Sequence, residues 1–328
     1  MRPRVVIAGG YGLVGGFVAR HLRAAGHDID LMLAGRNPEQ GQALARELGA
    51  TTLRLDVNDP TAGLGAAGPV DLVIATLQDP GDNLLMATLR SGAGHIGIVR
   101  SSDNMASTAI AAAALARRPA LMLGHWQAGV LTLAALAAAR AFRRVERVEM
   151  AALYDYADPI GPMTVADAGG FVGPALIRRD GGWIHVDAAE SGRTVVRPDL
   201  PPFDALPMGV LDTPALAAMT GAGDVRFDLG AGTSIGTAAG KAASHDIYID
   251  LAGQDASGAR TSRRTLVSDP RGQGHLTALG VLIGAERLLG LDGEPPAEGG
   301  LVFPESAIDP DRALARLRAF GVHIEAQS

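Results

Sequence analysis

The stretch Val5-Val6-Ile7-Ala8-Gly9-Gly10-Tyr11-Gly12-Leu13-Val14-Gly15-Gly16 decides the fold of this chain. Its apolar, β-branched start predicts a buried strand, and the pattern of residues 17–22 predicts a helix directly afterwards. Gly10, Gly12 and Gly15 stand between them with the spacing G-x-G-x-x-G. In that spacing the first glycine allows a sharp turn, the second lets the backbone approach a pyrophosphate, and the third lets the helix pack closely on the strand. The stretch therefore predicts a dinucleotide site with the phosphates at the helix N-terminus.

The end of the second predicted strand, residues 29–34, indicates which dinucleotide is bound. NAD-binding proteins usually carry an acidic residue about 20 residues beyond the glycines, whereas an arginine there can pair with the 2′-phosphate of NADP. Gly35 and Arg36 occupy this position, which favours NADP; the alternative is an arginine that is merely exposed in a loop. The cofactor-binding residues that we expect are Gly10, Tyr11, Gly12, Leu13, Val14, Gly15, Gly35, Arg36, Asn37, Asp56, Ala75, Thr76 and Leu77. Asp56 has a helix-capping role as its alternative.

The composition bounds the class of protein. A chain of 328 residues with 47% hydrophobic and 20% charged residues is long enough for about two globular domains. The net charge of −6 and the lack of a basic block argue against nucleic acid as a partner. The longest uncharged helical run, residues 128–139, is shorter than the ~20 residues that span a bilayer. With a strand predicted near the N-terminus we expect no signal peptide and a cytoplasmic location.

The absence of cysteine excludes several chemistries. A chain without thiols forms no disulfide, no thiolate metal site and no thioester, so cysteine-dependent reductases such as semialdehyde dehydrogenases are ruled out. The eight histidines show no His-x-x-x-His pair or compact facial triad, so we expect no metal.

The order of predicted elements divides the chain into three parts. Strands and helices alternate through residues 1–124, which predicts an α/β Rossmann domain with a doubly wound parallel sheet. Residues 125–270 are richer in strands, including a hairpin at 245–251 and 260–267, and predict a largely antiparallel α+β domain for substrate binding and dimerisation. We expect residues 271–328 to be helical and to pack back on the first domain. The apolar hairpin and the helix at 274–289 favour a homodimer.

On these residues the chain resembles the saccharopine dehydrogenase-like family of NAD(P)-dependent oxidoreductases over most of its length. The resemblance rests on the glycine turn, on Gly35-Arg36-Asn37, on residues 42–45 with Leu55-Asp56, on residues 92–96, and on residues 299–305 with Phe320-Gly321-Val322. It implies an enzyme that transfers hydride, and many members of the family act on C–N bonds of amino-acid or polyamine derivatives. No catalytic residue of the family maps onto a matching motif here.

Hydride transfer usually needs a group that donates or accepts a proton. The Tyr-x-x-x-Lys pair of short-chain dehydrogenases is excluded, because no tyrosine is followed by lysine four positions later. Our catalytic candidates are Lys241, His245, Tyr154 and His125. Lys241, the only lysine, stands near Ser244, His245 and Asp246; the alternative is a solvated lysine and a strand-end histidine. His125-Trp126 follows the sixth strand; the alternative is that Trp126 only packs at the domain hinge. Tyr154 ends another predicted strand and precedes an Asp-rich stretch, and the alternative is that this stretch only forms a turn.

The sequence thus predicts an NADP-dependent oxidoreductase that acts on a small carbonyl or imine substrate. A sensor or regulatory protein that binds NADP without catalysis is the alternative. A structural subunit whose glycine turn no longer binds a nucleotide is a third possibility.

Overall fold

The computed structural model describes residues 2–98, 105–161 and 174–327, which form two compact units. Met1–Gly124 and Thr277–Ile308 make up the first unit, and His125–Leu276 and Asp309–Ser328 make up the second. The segment 271–328, which we expected to pack as a whole on the first domain, is divided between the two. Its last strand pairs within the second sheet, and this places Asp309–Ser328 in the second unit.

In the described part of the first unit, seven parallel strands form the sheet. Numbered in chain order, they are β1 (Arg4–Ala8), β2 (Asp30–Gly35), β3 (Thr51–Arg54), β4 (Leu72–Ala75), β5 (Gly94–Gly97), β6 (Pro119–Met122) and β15 (Gly300–Val302). Their order is β15-β6-β5-β4-β1-β2-β3, and every neighbouring pair is parallel. The predicted doubly wound sheet is confirmed. Because the order reverses at β1, the crevice between the carboxyl ends of β1 and β4 is the topological switch point of the sheet.

Helices connect these strands and cover the sheet. They are Leu13–Ala24, Gln42–Leu48, Pro60–Ala67, Asn83–Ser91, Met105–Leu115 and Pro304–Ala307, with a short turn of helix at Pro38–Gly41. The helix Gln273–Leu289 begins in the second unit and ends in the first. The residues of β1 from Val5 to Ala8 are fully buried, as expected for a parallel strand covered on both faces.

Among the described residues, nine strands form the sheet of the second unit. They are β7 (Arg144–Tyr154), β8 (Pro174–Arg179), β9 (Gly182–Asp187), β10 (Arg193–Arg197), β11 (Leu200–Pro207), β12 (Asp224–Ala231), β13 (His245–Gln254), β14 (Arg260–Asp269) and β16 (His323–Gln327). The main order is β10-β11-β12-β7-β13-β14-β16, and β8 pairs with β12 and β9. Among the described strand pairs of this second sheet, only the pair β7 and β12 is parallel. The prediction of a largely antiparallel second sheet is therefore confirmed.

The strand directions bring the polar loops of the second unit to one end of its sheet. Tyr154 ends β7 and pairs with Ala231 at the end of β12. His245 begins β13 and pairs with Asp269 at the end of β14. The loops that follow β7, β12 and β14 therefore share this end, which we call the loop end of the second sheet.

The helices of the second unit are Val130–Ala139, Asp212–Thr220, Ile235–Ala238 and Pro310–Ala319. Residues 130–135 are all buried, because this helix packs on β13 and β14 on one side and on the helix Pro310–Ala319 on another. Across the described ranges, no helix combines the length and the apolar character needed to cross a bilayer.

Candidate functional site

The glycine turn between β1 and the first helix leaves no room for side chains. A Cβ atom on Gly15 would lie 2.2 Å from the Gly9 carbonyl oxygen and 2.8 Å from the Thr76 hydroxyl. The amides of Gly9 and Gly10 both donate to the Ala34 carbonyl, at 2.8 and 3.2 Å, and tie the turn to β2. The predicted role of Gly15 in close helix–strand packing agrees with this geometry.

The sharp turn itself depends on a different glycine from the one expected. Gly9 has φ +83°, a left-handed conformation that favours glycine, whereas Gly10 is not among the residues with positive φ. Gly10 is required for another reason, since a Cβ there would lie 2.7 Å from the Ile7 carbonyl oxygen. The sequence offered two adjacent glycines, and only the backbone path distinguishes their roles.

The helix Leu13–Ala24 begins with its first amides open. Gly12 is the N-cap and provides no side-chain hydrogen bond, and the first turn carries no acidic residue. Gly12 and Leu13 are exposed, while Val14 is half-buried. Unpaired first-turn amides and the positive end of the helix dipole attract anions. Together with the exposed backbone of Gly12, which carries no side chain, this N-terminus fits the pyrophosphate of a dinucleotide.

Thr76 supports the turn from the neighbouring strand. It follows β4, and both its amide and its hydroxyl donate to the Ala8 carbonyl at 2.9 Å. Its Oγ1 also faces the backbone of Gly9 and Gly15. Ala75 is buried, and Leu77 is half-buried beside Thr76. Thr76 therefore fixes the shape of the turn, and its hydroxyl proton is already used within the protein.

The end of β2 carries Arg36 and Asn37, both exposed. Within the residues that the structure describes, the Arg36 guanidinium has no hydrogen-bond or ion-pair partner. The Asn37 amide donates to the Tyr11 hydroxyl oxygen at 3.1 Å, and the Tyr11 ring lies against Gly35 and Gly41. Tyr11, Gly35, Arg36 and Asn37 are therefore neighbours, as the predicted nucleotide site requires.

Asp56 stabilises a turn of its own. Its Oδ1 accepts hydrogen bonds from the backbone and side-chain amides of Asn58, at 3.0 and 3.1 Å. The cap of the following helix, Pro60–Ala67, is Asp59. Asp56 is therefore not a helix cap, and its Oδ1 atom already accepts hydrogen bonds within the protein.

In the second unit, His245 is held as a hydrogen-bond acceptor. Its Nε2 atom lies 3.2 Å from the Trp126 indole nitrogen and 2.9 Å from the Gln127 amide nitrogen. Both groups can only donate, so Nε2 carries the lone pair and the proton of the neutral ring is on Nδ1. His245 is 1% exposed, and this burial lowers its pKa to about 3. The His245 ring therefore stays neutral at physiological pH, and its Nε2 atom holds Trp126 and Gln127 in position.

The turn from His125 to Gly129 has a strained backbone. Gln127 and Ala128 have φ values of +51° and +53°, and Gly129 has φ +91°. Left-handed conformations cost side-chain-bearing residues roughly 1–2 kcal/mol each. The helix that we expected from residue 128 consequently begins only at Val130. Such strain persists only where surrounding contacts hold it.

Asp212 supplies the main contacts that hold this turn. Its carboxylate accepts the Trp126 amide and the Thr132 hydroxyl, both at 2.6 Å. Burial raises the pKa of Asp212, and the nearby charge of His125 and these hydrogen bonds oppose that rise. The Trp126 ring packs on Phe227, with centroids 4.9 Å apart. Neither Asp212 nor Gln127 is predicted as a site residue from the sequence. The pattern Asp212-Thr213-Pro214 is typical of a helix start and was the one sequence signal that pointed to Asp212.

Lys241 is exposed, whereas His245 is buried. Lys241 follows Gly240, which has φ +70°, on an exposed turn, and its amide donates to the Gly236 carbonyl at 2.9 Å. Ser244 donates instead to Asp246 at 2.8 Å. The expected cluster of Lys241, Ser244, His245 and Asp246 is thus divided between a surface turn and two separate buried networks.

Tyr154 and the acidic residues after it occupy the loop end of the second sheet. Burial raises the pKa of the half-buried Tyr154, and the charges of Asp158 and Asp155 add to this effect. Burial also favours a higher pKa for Asp155, but hydrogen bonds from Thr237, Ala157 and Ser234 outweigh it and hold the pKa at about 2. Asp155 therefore anchors the loop after β12 as a permanent carboxylate.

Asp158 differs from Asp155, because its pKa is raised and not lowered. It accepts the Gln273 amide at 2.8 Å, yet burial raises its pKa to about 6, and the carboxylates of Asp269, Asp155 and Asp246 contribute. Asp269 is paired with His275 at 2.6 Å. No three acidic or histidine side chains of the described residues come together as a metal-binding group. The arrangement instead provides, at Asp158, a carboxyl group that exchanges its proton near neutral pH.

Comparisons with known proteins identify the fold. No protein-family model and no curated protein matches the chain. The apo structure of saccharopine dehydrogenase (L-Glu forming) from Saccharomyces cerevisiae is similar with a TM-score of 0.75 at 13% identity, over 99% of each chain. A myo-inositol dehydrogenase from Corynebacterium glutamicum is similar with a TM-score of 0.50 at 11% identity, over 100% of each chain. The chain has a saccharopine dehydrogenase-like fold, which confirms the resemblance seen in the sequence at the level of fold.

Proposed function

We propose that this protein is an oxidoreductase that binds NADP at the glycine turn of the first sheet and transfers hydride to or from a small carbonyl or imine substrate. The observation that carries the proposal is the geometry at Gly15. A backbone that excludes even a methyl group there, next to an uncapped and exposed helix N-terminus at the switch point of the sheet, is the arrangement that receives a pyrophosphate.

The preference for NADP rests on Arg36. Its guanidinium is exposed beside Gly35, and it has no partner among the described residues. A guanidinium matches the geometry of a phosphate group and can bind it through two parallel hydrogen bonds. A 2′-phosphate at the end of β2 would supply the missing partner.

The loop end of the second sheet is our proposed location for the substrate and for proton exchange. The bound cofactor would donate or accept the hydride, and the protein has to hold the substrate and move a proton. Asp158 has its pKa raised to about 6, and the nearby Tyr154 has a phenol that can donate a hydrogen bond to a carbonyl or imine. His245 and Asp212 position the Trp126-Gln127 turn in the same unit.

Titration with NADPH and with NADH, followed by tryptophan fluorescence or calorimetry, tests the proposal. We expect NADPH to bind at least ~10-fold more tightly than NADH, because only NADPH offers a charged partner to Arg36. Binding of neither dinucleotide would contradict the proposal and leave the turn with a structural role. A screen of small ketones and imines with bound NADPH then tests turnover.

A sensor that binds NADP without catalysis is the second candidate. It is favoured by one observation: Lys241 is exposed on a surface turn, whereas His245 is a buried neutral acceptor. A sensor would bind NADPH selectively but show no substrate-dependent oxidation in the screen. The homodimer that we predict from the sequence is tested in the same preparation by light scattering.

A further inference from the structure

Tyr11 occupies the place where an NAD-binding protein carries its acidic side chain. A Cβ atom on Gly35 would lie 2.2 Å from the Tyr11 hydroxyl oxygen and 2.6 Å from the ring carbon that bears it. A Cβ on Gly41 would lie 2.7 Å from Cδ1 of the same ring. The phenol is thus held between two glycine backbones at the end of β2, and neither glycine can be replaced while Tyr11 keeps this position.

This packing has a direct consequence for the choice of nucleotide. The acidic residue that accepts the ribose 2′-OH of NAD stands at the end of the second strand. At Gly35 the first atom of any such side chain would collide with Tyr11, so the phenol excludes the acid from this position. What remains there is a hydroxyl group, with the guanidinium of Arg36 adjacent in sequence.

The hydroxyl of Tyr11 has a proton to donate. Its oxygen accepts the Asn37 amide at 3.1 Å, and this fixes its orientation. A phenol can accept and donate at once. In the part of the chain that the structure describes, the Tyr11 hydroxyl donates to no acceptor.

We propose that Tyr11 is a specificity-determining residue, whose hydroxyl donates to the 2′-phosphate of NADP while its ring keeps an acidic residue away from the end of β2. The inference rests on the proposed function and names the second ligand of the 2′-phosphate beside Arg36. Tyr11 and Gly35 act as a pair, because the glycine makes the space that the phenol fills.

Binding of two nucleotide fragments by the Tyr11→Phe variant tests the donor. Phenylalanine keeps the ring between Gly35 and Gly41 and removes only the hydroxyl. Adenosine 2′,5′-bisphosphate and adenosine 5′-monophosphate are the probes, and calorimetry gives the affinities. We expect the variant to bind the bisphosphate ~10-fold more weakly, as is usual when a hydrogen bond to a charged group is lost, and the monophosphate within 2-fold of wild type. Equal losses for both fragments, or no loss for either, would overturn the inference.

The same experiment separates the inference from the proposed function. If the wild-type protein binds both fragments and discriminates between them, the nucleotide site stands whatever the Tyr11→Phe variant does. If the wild type binds neither fragment and neither dinucleotide, the proposed function fails and the inference with it.

A second pair of variants tests the exclusion of the acid. Gly35→Asp alone should gain no affinity for NADH, since its side chain collides with the phenol. Tyr11→Ala combined with Gly35→Asp should bind NADH at least ~5-fold more tightly than Gly35→Asp alone, because the carboxylate can then reach a ribose hydroxyl. Circular dichroism confirms folding of both variants. A gain for the single variant equal to that of the double variant would contradict the role of Tyr11.

Discussion

The carboxylate of Asp212 accepts a 2.6 Å hydrogen bond from the backbone amide of Trp126, 86 residues earlier in the chain. Asp212 itself is fully buried, and its carboxylate accepts a second hydrogen bond from the buried Thr132 hydroxyl. It holds in place a turn in which two residues with side chains have left-handed backbones. This pair of residues therefore joins the start of the helix Val130–Ala139 to the start of the helix Asp212–Thr220.

Replacement of Asp212 by alanine should lower the free energy of unfolding by about 3 kcal/mol, because the Trp126 amide and the Thr132 hydroxyl both lose a buried acceptor. Urea denaturation measures the change. Thr132→Val removes only one of the two donors and serves as the control, with an expected loss of about 1 kcal/mol. Similar losses in the two variants would show that the bond to Trp126 contributes little.

Glycine at position 128 should be tolerated or stabilising. Ala128 has φ +53°, a conformation that glycine adopts without strain. Ala138→Gly, in the regular helix Val130–Ala139, is the matched control and should lose about 1 kcal/mol. Thermal denaturation of the two variants measures the difference, and an equal loss in both would argue that residue 128 is not strained.

The stability of the second unit should depend on His245 at acidic pH. Burial lowers its pKa from 6.5 to about 3, so below pH 6.5 the unfolded chain binds a proton that the folded protein does not. The stabilisation is complete above the unfolded pKa and decreases as the pH falls. At a pH of about 5 the loss should reach about 2 kcal/mol.

Denaturation curves of wild type and His245→Asn at several pH values isolate this contribution. Asp158 acts in the opposite sense, since its pKa is raised to about 6 and its contribution grows as the pH falls from there towards 3.8. Because both proteins retain Asp158, its effect cancels in the difference. A difference that does not change between pH values of about 8 and 5 would contradict the neutral, buried state of His245.

Adjacent glycines in the first helix should respond differently to the same substitution. Gly15→Ala places a Cβ 2.2 Å from the Gly9 carbonyl and should weaken NADPH binding at least ~10-fold, because the turn must open. Gly16→Ala meets no atom closer than 3.6 Å and should bind NADPH as the wild type does. Fluorescence titration compares them, and circular dichroism checks the fold. Equal affinities would remove the turn from the cofactor site.

Arg36→Ala should weaken NADPH binding at least ~10-fold and change NADH binding by less than 2-fold, since only NADPH carries the phosphate. Arg46→Ala, which alters another exposed arginine on the helix Gln42–Leu48, is the control. Calorimetric titration with both dinucleotides distinguishes the outcomes. A loss of the same size for NADH would mean that Arg36 does not recognise the 2′-phosphate.

The first sheet was predictable because its signals are local. An apolar run, a glycine turn and an amphipathic helix follow one another within residues 5–22, and each part specifies its own conformation. The strand β11 was missed since its sequence, Leu-Pro-Pro-Phe-Asp-Ala-Leu-Pro, reads as a loop. The helix Pro60–Ala67 was missed because two glycines weaken its pattern.

The contacts around His245 in the second unit were less predictable, because they join distant parts of the chain. His245 is bonded to residues 118 and 119 positions away, so proximity to Lys241 in sequence gave the wrong impression of its partners. The position of Tyr11 against Gly35 likewise depends on how β1 and β2 pair. Spacing along the chain identifies a turn, whereas a hydrogen-bond partner on another strand follows only from the topology.

The placement of β15 beside β6 bears on how the protein is made. Residues 300–302 complete the first sheet, and residues 323–327 complete the second, so each sheet receives its last strand long after its first strands have been synthesised. On the ribosome, the nascent chain carries the open edge of β6 while residues 125–299, which include most of the second unit, are synthesised. Such unpaired edges favour aggregation, and long-range strand pairing is slow. A fragment that stops at Gly124 would keep that edge permanently, so the isolated first unit has a complete sheet only when Thr277–Ile308 is joined to it.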